Sequence, residues 1–186
     1  MKTIKKHEIQ TDRLLLRPFK RSDAPAMFGW ASDHEVTRYL RFVPHKSVEE
    51  SEKVISSWIE DETLPHSVNW AIVVRETGTV IGSAGVMTIS PVDHKGEVGY
   101  CLSRSKWGKG YMSEALPYVL RHAFTYMGLH RIEAAHSLAN AASGRVMEKA
   151  GMHKECSCLR HYYKSSLNGY QDSALYAVFS DTYEKL

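Results

Sequence analysis

The stretch S-K-W-G-K-G-Y-M-S-E-A, residues 105–115, places two glycines between a strand pattern and a helix pattern. Residues 97–102 alternate in the manner of a β-strand, and apolar residues recur at helical spacing from Ala115 to Phe124. Glycine lets the backbone approach a ligand closely, and the first N–H groups of a helix have no partner within it. Because the helix dipole adds partial positive charge there, the sequence predicts a turn that binds phosphate or pyrophosphate.

This glycine turn differs from two common phosphate-binding sequences. A dinucleotide-binding G-x-G-x-x-G would need glycine at position 113, which is Ser113, and the G-K-[ST] ending of a P-loop is absent. The sequence therefore indicates a different nucleotide-like ligand.

Four segments together resemble a known family. The glycine turn, read from Ser105 to Gly110, is similar to R/Q-x-x-G-x-G/A at the start of a helix, with serine in the first position. The other segments are T-D-R-L-L-L-R-P-F at 11–19, H-E-V-T-R-Y-L at 34–40 and N-A-A-S-G-R-V-M-E-K-A-G-M at 140–152. In this order they resemble the GCN5-related N-acetyltransferase (GNAT) superfamily, and within it the ribosomal-protein N-terminal acetyltransferases of the RimJ/RimL type.

The predicted elements favour an α/β or α+β fold. Two N-terminal helices are expected to begin with Ser22 and Ser47 as N-caps, and Glu50 completes a capping box. Before the glycine turn, periodicity predicts a strand at 13–19, helices at 22–31 and 47–60, and strands at 70–75, 80–89 and 97–102. After it, the pattern predicts a helix, a strand at 131–137, a helix at 141–150 that begins at Asn140, and strands at 156–164 and 173–179. This order predicts a sheet with helices on its faces. The resemblance implies the acyl-CoA N-acyltransferase fold of GNAT enzymes, a mixed, mostly antiparallel sheet with helices on both faces.

Composition narrows the class of protein. The chain has 186 residues and no linker or repeat, which predicts a single domain over residues 1–186. A net charge of +3 with dispersed basic residues argues against nucleic acid as a partner. There is no secretory h-region or run of 18 apolar residues, so we expect no membrane association and a cytoplasmic location. The expected assembly is a monomer or a homodimer. Three cysteines, Cys101, Cys156 and Cys158, are an odd set and predict no disulfide framework.

The resemblance implies that acetyl-CoA is the co-substrate. Backbone N–H groups of the glycine turn would bind its pyrophosphate, and its pantetheine arm would pair with the end of the preceding strand. Lys109 has the alternative of an exposed loop lysine, and Asn140 that of a simple helix start. The residues assigned to the cofactor in this way are Tyr100, Cys101, Leu102, Trp107, Gly108, Lys109, Gly110, Tyr111, Met112, Asn140 and Ser143.

The reaction that the resemblance implies is direct attack of an amine on a thioester. An amine is a nucleophile only when neutral, so a base or a water path must take its proton. Glu97 is the candidate base, since its E-V-G-Y context is similar to the family position with that role. The alternative is an ordinary exposed glutamate on a strand.

The candidate general acid departs from the pattern of many relatives. They carry tyrosine where this chain has Met147, which cannot donate a proton. Ser143 is the replacement that the RimL-like branch implies, and a thiolate also leaves without much help. Tyr162, Tyr163 and Tyr170 are further candidates, each with the alternative of a core or surface aromatic.

The sequence also contains candidate residues for a zinc site and for a reactive cysteine. His153, Cys156, Cys158 and His161 lie close together, as in a zinc-dependent hydrolase. The two cysteines share one strand face and the two histidines the other, so we predict no metal site. Cys101 lies in an apolar strand, where cysteine is usually inert packing.

The sequence is compatible with more than one acceptor amine. The resemblance implies the N-terminal α-amine of a protein, and the alternatives are a small amine, such as a polyamine, amino acid or antibiotic, or a non-catalytic acyl-CoA-binding module. Acceptor contacts are expected from residues 28–43, 91–96 and 162–170.

Overall fold

The computed structural model describes residues 8–60 and 67–183. Its strands are β1 (Ile9–Gln10), β2 (Leu14–Pro18), β3 (Ser67–Val74), β4 (Thr79–Ser90), β5 (Lys95–Leu102), β6 (Arg131–Ser137), β7 (His153–Ser165) and β8 (Gly169–Phe179). Its helices are α1 (Ala24–Ala31), α2 (His34–Thr37), α3 (Val48–Glu60), α4 (Tyr111–Met127) and α5 (Ala141–Lys149). None of the helices in these two ranges is both long and apolar enough to cross a membrane.

All eight strands belong to one sheet, in the order β1-β2-β3-β4-β5-β6-β8-β7. Every neighbouring pair is antiparallel except β5 and β6, which are parallel. The helix α4 connects these two parallel strands, as a parallel pair requires a crossover. The predicted mixed, mostly antiparallel sheet is confirmed.

Helices cover both faces of the sheet because alternate strand residues are apolar on both sides. On one face, buried residues of α4 such as Leu116 and Leu120 pack with Trp70 and Ile72 of β3. On the other face, α1 and α3 pack around Ala71, which has the opposite parity. Burial of each large apolar side chain contributes about 2 kcal/mol, so these two clusters fix the sheet between its helices.

The parallel strands β5 and β6 stay together over only three residue pairs, from Lys95 with Arg131 to Glu97 with Glu133. Beyond that point β5 remains paired with β4 as far as Leu102, and β6 remains paired with β8 as far as Ser137. The two strands therefore separate in the middle of the sheet and leave a cleft between their carboxyl ends.

The predicted elements are all confirmed, with local differences. A 3₁₀ turn at Arg21–Asp23 precedes α1, so Asp23 rather than Ser22 occupies its N-cap. The carboxylate of Glu50 accepts a hydrogen bond from the backbone N–H of Lys46, one residue before the expected capping partner. Asn140 is the N-cap residue of α5, but its side chain makes no capping hydrogen bond. The short elements β1 and α2 were not predicted, because two to four residues carry no periodicity.

Candidate active site

The cleft between β5 and β6 continues into a cavity of about 620 Å³. This size is within the usual range for small-molecule and cofactor sites. Of the predicted catalytic and cofactor residues, all but Lys109 line its wall: Glu97, Tyr100, Cys101, Leu102, Trp107, Gly108, Gly110, Tyr111, Met112, Asn140 and Ser143. The structure thus brings the glycine turn, the end of β5 and the start of α5 to one site.

The glycine turn has the conformation that its sequence predicts. Gly108 has φ +70° and Gly110 has φ +77°, both in the left-handed region that costs other residues about 1–2 kcal/mol. Gly110 is the N-cap of α4, and Tyr111, Met112 and Ser113 line the cavity directly after it. The unpaired N–H groups of a 17-residue helix therefore begin at the cavity wall.

A brace from the N-terminal strands holds this turn in place. The guanidinium of Arg13 donates to Lys109 O at 3.0 Å and to Glu114 Oε2 at 2.6 Å, and lies 4.6 Å from the ring centre of Tyr111. Although burial opposes ionisation, hydrogen bonds from Thr11 and Arg13 keep the pKa of Glu114 below its ordinary value. One arginine thus fixes the loop and neutralises an acid in the first turn of α4.

The positively charged side chains that line the cavity are not the one that the sequence predicted. Lys109 is exposed and contributes its carbonyl to the Arg13 brace, whereas its side chain is not part of the wall. Lys106, Arg145 and Lys149 line the cavity instead. Arg145 and Lys149 follow the N-A-A-S segment on the same helix. Their helical spacing from that segment is the signal that could have identified them.

Tyr100 and Ser143 meet across the cleft. The phenol of Tyr100 lies 3.0 Å from the Ser143 carbonyl oxygen, to which it donates, and 2.9 Å from the Ser143 hydroxyl. Because the phenol has one proton, the serine hydroxyl donates to the phenol oxygen while the phenol donates to the carbonyl. Burial raises the pKa of Tyr100, so the phenol remains protonated. These bonds join β5 to α5 where the sheet itself is open.

A side chain already binds one backbone carbonyl at the end of β5. The indole N–H of Trp107 donates to Leu102 O at 2.8 Å, so one of the backbone acceptors expected to be free already has a partner. Burial raises the pKa of the Cys101 thiol to about 12. The thiolate of Cys101 is therefore scarce at neutral pH, as expected for a packing residue.

Glu97 is the carboxylate at the point where β5 and β6 separate. Its Cα partner in the parallel pair is Glu133, whose carboxylate is bound by Lys95 at 2.8 Å and by Arg131. Glu97 itself forms no ion pair with any residue in the described ranges. Of the two neighbouring acids, Glu97 is the one that lines the cavity.

One wall of the cavity comes from the segment after α2. This segment lies within residues 28–43, one of the ranges predicted to contact the acceptor. Arg38, Tyr39, Leu40, Arg41 and Phe42 all line the cavity. Tyr163 lines the same end, and its hydroxyl donates to Tyr39 O at 2.7 Å. No sequence pattern brings these two regions together, because their contact depends on the tertiary fold.

His136 is a further wall residue that the sequence analysis missed. Its Nδ1 donates to Ser137 O at 2.8 Å, while Nε2 is buried without a hydrogen-bond partner in the described part of the chain. A Cβ added at Gly144 would lie 2.6 Å from that nitrogen. The first turns of α5 therefore pack directly on the imidazole.

Residues 8–60 and 67–183 contain no group of three or more His, Cys, Asp or Glu side chains placed to hold an ion. His161 has φ +50° and its backbone N–H donates to Asp172, so β7 does not keep simple alternation there.

Comparison with known proteins agrees with this architecture. A family model described as an acetyltransferase (GNAT) domain matches residues 13–153, more than half of the chain. The chain belongs to the GNAT family. Members of this family transfer the acetyl group of acetyl-CoA, and the chain is an acetyl-CoA-dependent N-acetyltransferase of this kind.

Two bacterial relatives of this GNAT protein span almost its full length. The "Uncharacterized N-acetyltransferase p20" of Bacillus licheniformis is 35% identical over 158 residues, covering 84% of this chain and 88% of the relative. The "Uncharacterized N-acetyltransferase YoaA" of Bacillus subtilis is 32% identical over 170 residues, covering 91% and 95%.

Solved structures share the fold. A GNAT-family acetyltransferase from Bacillus anthracis superposes with a TM-score of 0.81 at 26% identity, covering 94% of this chain and 99% of that one. RimL, an alpha-N-protein acetyltransferase of a ribosomal protein, in complex with coenzyme A, gives 0.82 at 22% identity, covering 93% and 98%. Spermidine N-acetyltransferase from Vibrio cholerae, in complex with CoA and spermine, gives 0.79 at 20%, covering 93% and 99%.

The residues present fit acetyl-CoA. The left-handed glycines open the start of α4 to an anion, and Lys106, Arg145 and Lys149 add positive charge for phosphate groups. The cleft leaves the end of β5 unpaired on its β6 side, where an amide-containing arm can add like a strand.

Proposed function

We propose that this acetyltransferase acts on the N-terminal α-amine of a protein. The observation that carries the proposal is the carboxylate of Glu97, which lines the cavity where the two strands part and is the one wall carboxylate without an ion pair among the described residues. One carboxylate suits one amine, whereas an acceptor with several amines would need several acids. The similarity of fold to RimL supports the same class of acceptor.

Glu97 acts as the base in this proposal. A model α-amine has a pKa near 8, so most of it is protonated at neutral pH and must lose a proton before it can attack. Glu97 accepts that proton, directly or through a water molecule. Acetyl-CoA, when bound, supplies the thioester that the neutral amine attacks, and the acetyl group moves to nitrogen without an acyl-enzyme.

Ser143 and Tyr100 act on the opposite side of the cleft. The Ser143 hydroxyl can turn from Tyr100 towards a departing sulfur, because the phenol keeps its second bond to the Ser143 carbonyl. In this role Ser143 donates a hydrogen bond and Tyr100 positions it. Met147, at 2% exposure, is packing in the core.

The residues that hold the cofactor in this proposal are those on the cavity wall. The N–H groups that follow Gly110 bind the pyrophosphate, and the end of β5 pairs with the pantetheine arm. Arg145 and Lys149 contact phosphate from α5, a role that the sequence analysis had given to Lys109.

A small amine is the alternative acceptor. A spermidine N(1)-acetyltransferase from Vibrio cholerae is 22% identical over 161 residues, covering 86% of this chain and 89% of that protein. The charge of the cavity wall argues against a polyamine, because Arg38 and Arg41 lie at the same end as Glu35 and would repel a polycation.

A thiol-release assay with acetyl-CoA tests the proposal. The panel contains short peptides with free N-termini, the same peptides with blocked N-termini, polyamines, aminoglycosides and free amino acids. Turnover confined to free N-termini is the expected result. Turnover only with small amines would replace the proposal by a small-molecule acetyltransferase, and cofactor binding without any turnover would replace it by an acyl-CoA-binding module.

A further inference from the structure

We propose that Arg41 binds a carboxylate of the acceptor, so that the preferred acceptor carries an acidic group close to the amine that is acetylated. This inference rests on the proposed function and names the chemistry of its acceptor.

The backbone on both sides of Arg41 is fixed to the turn between β7 and β8. The Ser165 hydroxyl donates to Arg38 O at 2.7 Å, and the Ser166 N–H donates to Leu40 O at 3.1 Å. The Ser166 hydroxyl donates to Phe42 O at 2.7 Å. Arg41 is therefore presented from a segment held on either side, and less entropy is lost when it binds a ligand.

The guanidinium of Arg41 is oriented by an aromatic ring. Its central carbon lies 4.9 Å from the ring centre of Tyr163, a residue that is only 9% exposed. Stacking uses the face of the guanidinium and leaves the N–H donors in its plane available. No carboxylate in the described ranges forms an ion pair with Arg41. A planar, fixed and unneutralised guanidinium matches a carboxylate in a bidentate arrangement.

The other charges on the wall are accounted for. Arg38 pairs with Glu35 at 3.7 Å. Lys106 lies just before the glycine turn, and Arg145 and Lys149 lie on α5, where they serve the phosphates of the cofactor in the proposed function. Among the charged wall residues at positions 8–60 and 67–183, Glu97 and Arg41 are left for the acceptor.

Glu97 and Arg41 both line the cavity, Glu97 from β5 and Arg41 from the segment after α2. An acceptor with an ammonium group and a nearby carboxylate complements this pair, with the ammonium towards Glu97 and the carboxylate towards Arg41.

Two sources can supply that carboxylate: an acidic side chain next to the N-terminus of a peptide, or the α-carboxylate of a free amino acid. The experiment measures kcat/KM by thiol release for peptides that are identical except for Asp, Asn or Lys at the second residue, and for free amino acids. It compares the wild type with Arg41→Gln and Arg41→Lys, and uses Arg121→Gln, an exposed residue of α4, as the control.

We expect the wild type to favour the Asp peptide over the Asn peptide by about tenfold, the effect of one charge-assisted hydrogen bond. Arg41→Gln should reduce this ratio to near one with the Asn peptide unaffected, Arg41→Lys should keep part of it, and Arg121→Gln should keep all of it. Turnover of the Asn peptide by Arg41→Gln also shows that the variant is folded.

Other outcomes separate this inference from the proposed function. Peptide turnover without an acid preference, or with a preference that survives Arg41→Gln, overturns the role of Arg41 and leaves the proposed function in place. Turnover confined to free amino acids and lost in Arg41→Gln supports carboxylate binding and overturns the protein N-terminus as acceptor. Turnover confined to polyamines, or with no acceptor at all, overturns both.

Discussion

Glu97 and Glu133 are adjacent on neighbouring strands, yet their surroundings give them different chemistry. Lys95 and Arg131 bind the Glu133 carboxylate, which therefore has a structural role. Glu97 has no such partner in the described ranges and lines the cavity. The position in the ion-pair network, rather than the residue type, distinguishes a candidate base from a structural acid.

Replacing Glu97 by Gln is expected to lower kcat about 100-fold near neutral pH, the usual size of a general-base contribution. The loss should shrink as pH rises, because a larger share of the amine is then neutral without help. Steady-state kinetics over a pH series measure both effects. Glu76→Gln, in the exposed turn between β3 and β4, is the control, and an unchanged pH profile in Glu97→Gln would reject the role.

The pair of Tyr100 and Ser143 predicts a non-additive result. If Tyr100 acts only by positioning the Ser143 hydroxyl, Ser143→Ala should lower kcat about tenfold and Tyr100→Phe less, and the double variant should match Ser143→Ala alone. The measurement is kcat for the four proteins at saturating acetyl-CoA. Fully additive losses would mean that the two residues act independently.

At this scale the sequence predicted residues within motifs and missed those that depend on tertiary contacts. Gly110 was predicted because turn chemistry is local, and Glu97 because its E-V-G-Y context resembles a family position. Arg41 and His136 were missed because their roles come from contacts with Tyr163 and Gly144, which periodicity does not report.

At the scale of elements, the start of α4 is held by β2 and the residues before it. Arg13 precedes β2, and its guanidinium bridges the carbonyl of Lys109 and the carboxylate of Glu114. Without Arg13 the acid in the first turn would lack its main cation and would oppose a bound phosphate. The cofactor turn therefore depends on an element distant from it in sequence.

Arg13→Gln is expected to raise KM for acetyl-CoA about fivefold to tenfold with little change in kcat, because the brace positions the cofactor and does not touch the amine. Initial rates at varied acetyl-CoA and fixed acceptor provide the two constants. Arg21→Gln, whose guanidinium is paired with Glu60 at 3.6 Å on the surface, is the matched control. A fall in kcat alone would contradict the positioning role.

Element prediction succeeded where amphipathic periods were long. The period of α4 and the alternation of β3 are strong, and both elements were predicted within a few residues. Periodicity did not predict the separation of β5 from β6, because strand pairing is a property of two distant segments.

For the molecule as a whole, acid should be destabilising because several carboxyls are ionised more readily in the folded protein. Despite the opposing effect of burial, a bidentate bond from Arg17 lowers the pKa of Asp23, which ties β2 to the start of α1. Since this pKa is lowered, its stabilisation is present above the ordinary value of 3.8 and is lost as pH falls through the native pKa.

Asp23→Asn is therefore expected to lower the free energy of unfolding by about 2 kcal/mol near neutral pH. The difference from the wild type should narrow as pH falls below 3.8, where the unfolded carboxyl is protonated, and vanish below the lowered native pKa, where the folded carboxyl is neutral too. Urea unfolding across a pH series measures this difference. A constant gap at all pH values would mean that packing, rather than charge, is lost in the variant.

The strand β8 follows β7 along the chain but does not lie at the edge of the sheet. Because β8 lies between β6 and β7, β6 has no antiparallel partner until residues 169–179 have left the ribosome. Translation therefore produces the glycine turn, β6 and α5 before the strand that holds β6 in the sheet. A nascent chain stopped at the end of α5 would contain residues from both sides of the cofactor cleft, and we expect competence to bind acetyl-CoA only once β8 has been made.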